Sequence, residues 1–402
     1  MSKVFNFLKK EIVLTVALLL AVVSMFFVRP DKEYIDYIDF STLSILFCLM
    51  AVMAGLQRMG VFREIAEALL SKVQKTWQIV LILVMLCFFF SMLITNDVAL
   101  ITFVPFTFII LDLLGEAVEK KLLIPVVVLQ TIAANLGSML TPIGNPQNLY
   151  LFGKAQMGIG EFMLLLLPYT VVAFLLLTGC CILLGKAGRP KHGQAPGTTE
   201  GNTPKSEVTD ENGQEAMTKF EALTTRTHLQ GGAWDMVRYL ILFALALLTV
   251  AKFIPFEITL AVTVVVMLLF DRKLFAKIDY SLLLTFVGFF VFIGNMGRVE
   301  AFREMLQSII HGNEVLTAVV SSQVISNVPA ALLLSGFTED VGALIIGTNL
   351  GGLGTLIASM ASLISYKYIV KENRCGKGAY FAYFTVANIV FLAILLGMWV
   401  LL

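Results

Sequence analysis

Residues 136–149 have the sequence LGSMLTPIGNPQNL and interrupt an apolar stretch that contains no charge between Lys121 and Lys154. They include two prolines, two glycines and two asparagines. Proline removes a backbone donor, and glycine adopts backbone angles that other residues resist. We therefore predict a transmembrane helix broken at membrane depth, where free carbonyl groups and side-chain amides bind a cation or an anion. A surface loop is the alternative, which the uncharged surroundings disfavour.

The composition of the chain is that of a membrane protein. Of its 402 residues, 58% are hydrophobic and 14% are charged, whereas a soluble domain carries roughly 25% charged residues. Residues 12–28, 78–96 and 381–402 are apolar over lengths suited to a hydrocarbon core of about 30 Å. The net charge is +1 and no basic stripe with interleaved aromatic residues occurs, so no nucleic-acid partner is expected. We predict an all-α polytopic membrane protein.

The placement of lysine and arginine predicts the topology, because these residues favour the cytoplasmic side of a membrane. Basic residues lie before the first apolar segment and at both ends of residues 77–115. That segment therefore enters the bilayer and returns, with a break at Thr95, Asn96 and Asp97. Such a re-entrant hairpin is tolerated only where protein or a cavity surrounds it. We predict a cytoplasmic N-terminus and a C-terminus outside a bacterial plasma membrane.

Three short blocks of sequence recur in the two halves of the chain. The aligned pairs are residues 54–64 with 293–304, residues 95–98 with 326–329, and residues 134–138 with 348–352. Because the two halves begin on opposite sides of the membrane, we predict an inverted repeat. Inverted repeats with interrupted helices place substrate and coupling ions near the bilayer midplane.

The repeat and the composition together define three predicted segments. Residues 186–235 form a polar, flexible cytoplasmic linker, because such a composition buries too little apolar surface to fold. The predicted segments are a first repeat at 1–185 with a hairpin at 77–115 and an interrupted helix at 121–153, the linker at 186–235, and a second repeat at 236–402 with a hairpin at 314–338 and an interrupted helix at 341–370.

Asp97 is the candidate residue with the clearest chemistry. A carboxylate at membrane depth is unfavourable unless it is paired, protonated or bound to a cation, so Asp97 is a candidate for ion or proton coupling. The alternative is that Asp97 caps a helix beginning at Val98. Asn96 and Asn327 offer amide groups that bind a cation or an oxyanion, with backbone capping as the alternative. The polar breaks in the two predicted hairpins and the two predicted interrupted helices contain no lysine or arginine. A bound anion would therefore depend on helix N-termini, amides, hydroxyls and co-bound cations.

Three motifs carry a resemblance to a known family: TNDVAL at residues 95–100, GNPQNL at residues 144–149 and SNVPA at residues 326–330. With these motifs the chain resembles the ion transporter superfamily, which includes divalent anion:sodium symporters, arsenite permeases, citrate transporters and one class of Na+/H+ antiporters. The resemblance covers nearly the whole chain outside the linker. It implies a scaffold domain, a transport domain that moves as an elevator, and a homodimer.

The resemblance also implies where coupling ions and substrate bind. In the symporters of the superfamily, Ser-Asn-Thr motifs at the two hairpin tips bind sodium and substrate carboxylate. The implied Na+ sites are formed by Thr95, Asn96, Gly144 and Asn145, and by Ser326, Asn327, Ala358 and Ser359. Asp97 and Val328 replace the threonines of those motifs. An aspartate after the asparagine resembles the motif of the arsenite-permease and antiporter branches. The two replacements weaken the expectation of a dicarboxylate substrate.

The leading prediction is a secondary active transporter that moves a small inorganic or organic anion by alternating access. Transport is predicted to be coupled to Na+ or H+. No other cofactor and no enzymatic activity are expected. The alternatives are a Na+/H+ antiporter in which Asp97 binds the two cations in turn and, more remotely, a channel or an intramembrane aspartyl protease. A protease needs two facing aspartates, and the hairpin tips supply Asp97 alone. The candidate binding residues are Thr95, Asn96, Asp97, Thr141, Gly144, Asn145, Asn148, Ser326, Asn327, Val328, Asn349, Ala358 and Ser359.

Overall fold

The computed structural model describes residues 11–71, 73, 75–187, 232–372 and 376–402, and within these ranges the chain is helical with no β-strand. The helices of the first half are α1 (Ile12–Ser24), α2 (Glu33–Asp36), α3 (Phe40–Met59), α4 (Val61–Leu70), α5 (Thr76–Ser91), α6 (Asn96–Leu113), α7 (Glu116–Ser138), α8 (Pro146–Ala155) and α9 (Ile159–Ala187). The helices of the second half are α10 (Ala233–Val250), α11 (Phe256–Phe270), a 3-10 helix (Arg272–Lys277), α12 (Tyr280–Gly297), α13 (Glu300–Ile310), α14 (Glu314–Ile325), α15 (Asn327–Ser335), α16 (Val341–Leu350), α17 (Met360–Glu372) and α18 (Lys377–Leu401). Most of the predicted linker at 186–235 lies outside the described residues.

Six of the described helices, α3, α6, α7, α9, α12 and α18, are long and apolar enough to cross a membrane. Large apolar side chains are exposed on these helices, such as Leu164 of α9, which is 68% exposed, and Ile389 of α18, which is 54% exposed. Exposed apolar surface on this scale is unfavourable in water and favourable against lipid. The chain is therefore an all-helical polytopic membrane protein, as its composition predicts.

The helices pack in two groups. In the first group, α3 packs with α10 and α11, and α12 packs with α1. In the second group, α5, α7 and α9 pack with one another, and α6 packs with α5 and α7. The helices α14, α15 and α16 also pack with one another, and α17 packs against α6 and α7. Between the groups, α8 contacts α3, and α15 contacts α12.

Four breaks interrupt helices of the second group. The breaks are residues 92–95 between α5 and α6, 139–145 between α7 and α8, 326 between α14 and α15, and 351–359 between α16 and α17. Pro146 begins α8, where its missing N–H has no helical partner to lose. Ser326 has a φ of +74°, a strained value for a residue other than glycine, and it separates α14 from α15.

Glycine at two positions allows close backbone packing at the interrupted helix α7–α8. A Cβ on Gly137 of α7 would lie 2.1 Å from the carbonyl oxygen of Phe88 in α5. A Cβ on Gly144 would lie 2.1 Å from the carbonyl oxygen of Ser138. Both contacts are with backbone atoms, which cannot rotate away as a side chain does. The close packing of α5, α7 and the 139–145 break therefore requires glycine at both positions.

Ion pairs of Arg58 and of Arg298 tie the described parts of the two halves to each other. Arg58 at the end of α3 binds Asp271 at 2.5 Å, and Asp271 immediately precedes the 3-10 helix that leads into α12. Arg298 at the end of α12 binds Asp31 at 2.7 Å, and Asp31 precedes α2 and α3. The C-terminal end of α3 therefore lies beside the segment that leads into α12, and the C-terminal end of α12 lies beside the segment that leads into α3.

A tyrosine and a glycine accompany each of these ion pairs. Tyr239 donates a hydrogen bond to Asp271, and the Tyr37 hydroxyl accepts one from Arg298 at 3.0 Å. Gly55 of α3 lies against the ring of Tyr239, and Gly294 of α12 lies against the ring of Tyr37. A Cβ at either glycine would approach the ring to 2.3 Å, so both contacts depend on the absence of a side chain.

Candidate functional site

The tip of the first hairpin contacts the break in α7–α8. The backbone N–H of Asn96 donates to the carbonyl oxygen of Gly144 at 3.2 Å, and the Thr141 hydroxyl donates to the carbonyl oxygen of Met92. Thr95 occupies the N-cap position of α6. The structure therefore brings together the predicted residues from the TNDVAL and GNPQNL motifs, although they lie more than 40 positions apart in the sequence.

Asparagines link the break in α7–α8 to the second half of the chain. The Asn145 side-chain amide donates to the Ser138 hydroxyl at 2.7 Å, and Asn148 donates to the carbonyl oxygen of Ser138 at 3.3 Å. Asn349 of α16 donates to the Asn148 side-chain oxygen at 2.7 Å. The side-chain oxygens of Asn145 and Asn349 are buried without a hydrogen-bond partner among the described residues. Such orphaned oxygens are ready acceptors for a cation, a water or a donor on a solute.

The tip of the second hairpin repeats the contact seen at the first. The backbone N–H of Asn327 donates to the carbonyl oxygen of Ala358 at 2.9 Å, as Asn96 does to Gly144. The Ser326 hydroxyl also donates to the Ala358 carbonyl, at 3.4 Å. Val328, another predicted site residue, is half-buried and packs against the apolar core. Its side chain has no polar atom to offer a ligand.

Asn135 connects the two hairpin regions and was not among the predicted site residues. Its side-chain oxygen accepts from the Asn96 amide at 3.0 Å and from the Ser359 hydroxyl at 2.9 Å. Its own amide donates to the carbonyl oxygen of Gly352 at 3.4 Å. Asn135 is 3% exposed, so these hydrogen bonds are shielded from water and connect the two halves of the chain. The alignment of residues 134–138 with 348–352 carries the signal, since it pairs Asn135 with Asn349.

Asp97 lines a cavity that combines apolar walls with several charged side chains. The cavity has a volume of about 580 Å³ and lies between α3, the first hairpin tip, the break in α7–α8 and the segment leading into α12. One carboxylate oxygen of Asp97, Oδ1, is buried without a hydrogen-bond partner among the described residues. α6 begins at Asn96 and not at Val98, and Asp97 lies in its first turn. The alternative that Asp97 caps a helix starting at Val98 is therefore wrong.

Four charged side chains line this cavity: Arg58, Asp97, Lys277 and Asp279. The sequence motifs identify Asp97 alone, and the other three come from the ends of α3 and the 3-10 helix and from the residue before α12. Asp279 accepts the N–H of Leu282 at 3.0 Å and so caps α12. The helix N-terminus partly offsets the negative charge of Asp279.

Arg58 is held in place by the ion pair at the cavity edge. Burial alone would raise the pKa of Asp271, but hydrogen bonds from Arg58 and Tyr239 hold that pKa below its ordinary value. Asp271 therefore stays ionised and fixes the Arg58 guanidinium. Arg238 adds to this charge cluster, with 3.9 Å between its guanidinium and the Asp271 carboxylate.

A second cavity lies beside the other hairpin and is apolar. Its volume is about 320 Å³, and every described residue that lines it is hydrophobic or proline. It lies between α1, α12, α13 and the tip of α14–α15, with Pro329 at the tip. The two hairpins therefore face unlike surroundings, because a charged cavity borders Asp97 and an apolar one borders the second tip.

The chain is similar to known membrane proteins along most of its length. Residues 4–341 match the model of the family described as citrate transporter. The chain is 31% identical over 310 residues to the uncharacterized transporter MJ0456 of Methanocaldococcus jannaschii, which covers 76% of this chain and 74% of that protein. It is 28% identical over 319 residues to the inner membrane protein YbiR of Escherichia coli, which covers 78% of this chain and 75% of that protein. These matches confirm the resemblance drawn from the three motifs.

Proposed function

Because the chain belongs to the citrate transporter family, we propose that it is a secondary active transporter that moves a small anion across the membrane, coupled to Na+ or H+. Its family and relatives make it a membrane transporter and not an enzyme. The observation that supports this proposal is the position of Asp97, at a charged cavity and beside two broken helices whose amides and carbonyls converge. A cation or proton neutralises Asp97, and the polar groups around it receive the solute.

Two coupling-ion sites are proposed at the contacts between each hairpin tip and the neighbouring break. Thr95, Asn96, Gly144 and Asn145 form the first, and its support is the orphaned side-chain oxygen of Asn145. Ser326, Asn327, Ala358 and Ser359 form the second. Both groups offer neutral oxygens of hydroxyls, amides and carbonyls, which suit a hard cation such as Na+.

An inverted repeat is supported by contacts that occur once in each half. Each hairpin tip donates a backbone N–H to a carbonyl oxygen of the neighbouring break. Asp39 caps α3 and Asp279 caps α12, each by accepting an N–H three residues ahead. The reciprocal pairs of Arg58 with Asp271 and of Arg298 with Asp31 extend the correspondence to the ends of both helices.

We assign α1–α4 and α10–α13 to a scaffold and α5–α9 and α14–α18 to a moving transport domain. The charged cavity lies between these two groups, as an elevator mechanism requires. Its Arg58 and Lys277 belong to the side predicted to be cytoplasmic, so the conformation is inward-facing in this scheme. The N-terminus is then cytoplasmic and the C-terminus outside, in a plasma membrane, and the functional unit implied by the superfamily resemblance is a homodimer.

Na+/H+ exchange is the second candidate function. The observation that favours it is the presence of two carboxylates, Asp97 and Asp279, along one cavity. A carboxylate that binds a proton in one step and Na+ in the next could exchange these cations without any anion. In that case Na+ flux would require a proton gradient and would be independent of added anion.

A proteoliposome transport panel separates the two functions. Uptake of citrate, sulfate, a dicarboxylate and arsenite is measured with and without Na+ and pH gradients, together with 22Na+ uptake. We expect at least one anion to be concentrated in a manner that depends on Na+ or pH. Gradient-driven Na+/H+ exchange with no anion uptake would refute the anion proposal and support the antiporter.

A further inference from the structure

Lys277 is a charged group in the cavity that lies outside the three sequence motifs. It ends the 3-10 helix Arg272–Lys277, which packs against α3 and α11, and its side chain lines the cavity that contains Asp97. Across the described part of the chain, Lys277 has no ion pair or hydrogen-bond partner. Arg58, the other cation along this cavity, is bound to Asp271 at 2.5 Å. Lys277 is therefore the lining cation whose charge is available to a solute.

The charges along the cavity make its affinity for anions conditional. Two cations, Arg58 and Lys277, and two carboxylates, Asp97 and Asp279, line it, so their formal charges cancel. An anion entering this cavity meets Asp97 at the hairpin tip and is repelled unless that carboxylate is neutralised. A bound Na+ or proton at Asp97 leaves a net charge of +1 among the four lining groups. The cavity then attracts an anion, and Lys277 is the cation with free donors.

We propose that Lys277 is a specificity-determining residue that binds the negative charge of the transported solute, a small oxyanion or carboxylate. This inference rests on the proposed function, because it requires an anionic substrate. Lys277 supplies from the scaffold the positive charge that the four breaks lack. The coupling cation at Asp97 removes the repulsion between that carboxylate and the anion, so cation and anion bind cooperatively.

Lys277 stands on the scaffold, whereas Asp97 stands on the hairpin assigned to the transport domain. An anion bound in the charged cavity therefore contacts the scaffold and the transport domain at the same time. Movement of the transport domain away from the scaffold breaks the contact with Lys277. The lysine contributes to binding in the conformation seen here and is left behind as the solute crosses.

The test uses the full-length protein with three substitutions. Lys277→Gln removes the charge, Lys277→Arg keeps it, and Lys273→Gln removes a charge from the same 3-10 helix outside the cavity lining. Equilibrium binding of citrate, sulfate and succinate in detergent, with saturating Na+ at low pH and at neutral pH, reports affinity without a transport cycle. Uptake into proteoliposomes then gives KM and the maximal rate separately.

We expect Lys277→Gln to weaken anion binding and to raise KM by about tenfold or more, the loss typical of a charge-assisted hydrogen bond. Lys277→Arg should stay within about threefold of the wild type, as one charged donor replaces another. Lys273→Gln should match the wild type. Unchanged anion affinity in Lys277→Gln, or an equal loss in Lys273→Gln, overturns the inference while leaving the proposed function intact. A wild type that binds and moves no anion overturns both.

If Lys277→Gln does not fold, Lys277→Cys in a background without the native cysteines provides a second route. Reaction with aminoethyl methanethiosulfonate restores a positive charge at this position in protein that is already folded. We expect modification to improve anion affinity by about tenfold, and modification by a neutral methyl reagent to leave it unchanged. Equal affinity before and after the charged modification overturns the inference.

Discussion

Replacing Gly144 by alanine tests the contact between the first hairpin and the interrupted helix. The added Cβ would lie 2.1 Å from the carbonyl oxygen of Ser138, whereas ordinary contacts begin at 3.4 Å. The 139–145 break must therefore move by more than 1 Å in a buried region where backbone atoms face each other. That shift removes or lengthens the 3.2 Å hydrogen bond from the Asn96 N–H to the Gly144 carbonyl oxygen.

The expected loss follows from these two contacts. Overpacking of a buried site costs about 1–3 kcal/mol, and a buried donor left without a partner costs about 1–3 kcal/mol more. We expect Gly144→Ala to destabilise the protein by about 2–6 kcal/mol, seen as a lower Tm in detergent. Uptake should fall by at least tenfold even in protein that remains folded, because a displacement of about 1 Å at a binding site disrupts its geometry.

Gly179→Ala is the matched control, because nothing lies within 4 Å of the Cβ that it would add. Gly179 is exposed in the middle of α9, where alanine favours the helix by up to about 1 kcal/mol. This variant should keep its Tm and uptake or gain slightly in Tm. If Gly144→Ala behaved like Gly179→Ala, the hairpin tip and the break would not be packed as described.

Two further predictions concern charge, and a third concerns topology. Asp97→Asn keeps the shape of the side chain and should fold, yet lose the Na+ or pH dependence of uptake together with most coupled flux. Asp340→Asn, at a helix N-cap where asparagine also serves, is its control, and wild-type coupling in Asp97→Asn would refute the proposed role. The depressed pKa of Asp271 means that the unfolded chain binds the Asp271 proton more readily than the folded protein. The stability it contributes is complete above the ordinary carboxyl pKa and is lost as the pH falls through the depressed value. The Tm should therefore drop more steeply below about pH 4 in the wild type than in Asp271→Asn, and parallel curves would contradict this. Single cysteines at Ser2 and Leu402 should react with impermeant reagents from opposite faces of the membrane, and labelling from one face would contradict the inverted repeat.

The breaks could be predicted from the sequence because the residues that cause them act locally. Pro146 begins α8 because its fixed φ suits the first helical position and its missing N–H has no helical partner to lose. The uncharged segment around Pro146 predicts that the break lies inside the protein. Asp97 is visible for the same reason, as a charge in an apolar segment. Its capping alternative failed because α6 begins at Asn96, and helix boundaries depend on which neighbouring groups satisfy the first N–H groups.

The residues that sequence reasoning missed act through distant partners. The repeat alignment pairs Asn135 with Asn349 but does not reveal its hydrogen-bond partners, Asn96 and Ser359, which are 39 and 224 positions away. Lys277 lies in a short basic segment that reads as an ordinary cytoplasmic loop. Its place in the cavity follows from the packing of the 3-10 helix against α3. Patterns of periodicity and local breaks carry no information about such contacts.

Charge distinguishes the two halves where their backbones correspond. In the proposed repeat, Asp97 corresponds to Val328, and counting back from the capping residues Asp279 and Asp39 pairs Lys277 with Tyr37. Tyr37 accepts a hydrogen bond from Arg298, so the corresponding position on the other face offers no free cation. The charged cavity accordingly lies beside the hairpin that contains Asp97, and the apolar cavity lies beside the hairpin that contains Val328. Coupling through one carboxylate of the first half and anion binding through one lysine of the second half then both take place at the charged cavity. An anion would meet a cationic group on the scaffold at one face of the membrane and none at the corresponding position of the other, which favours different affinities for the solute on the two sides.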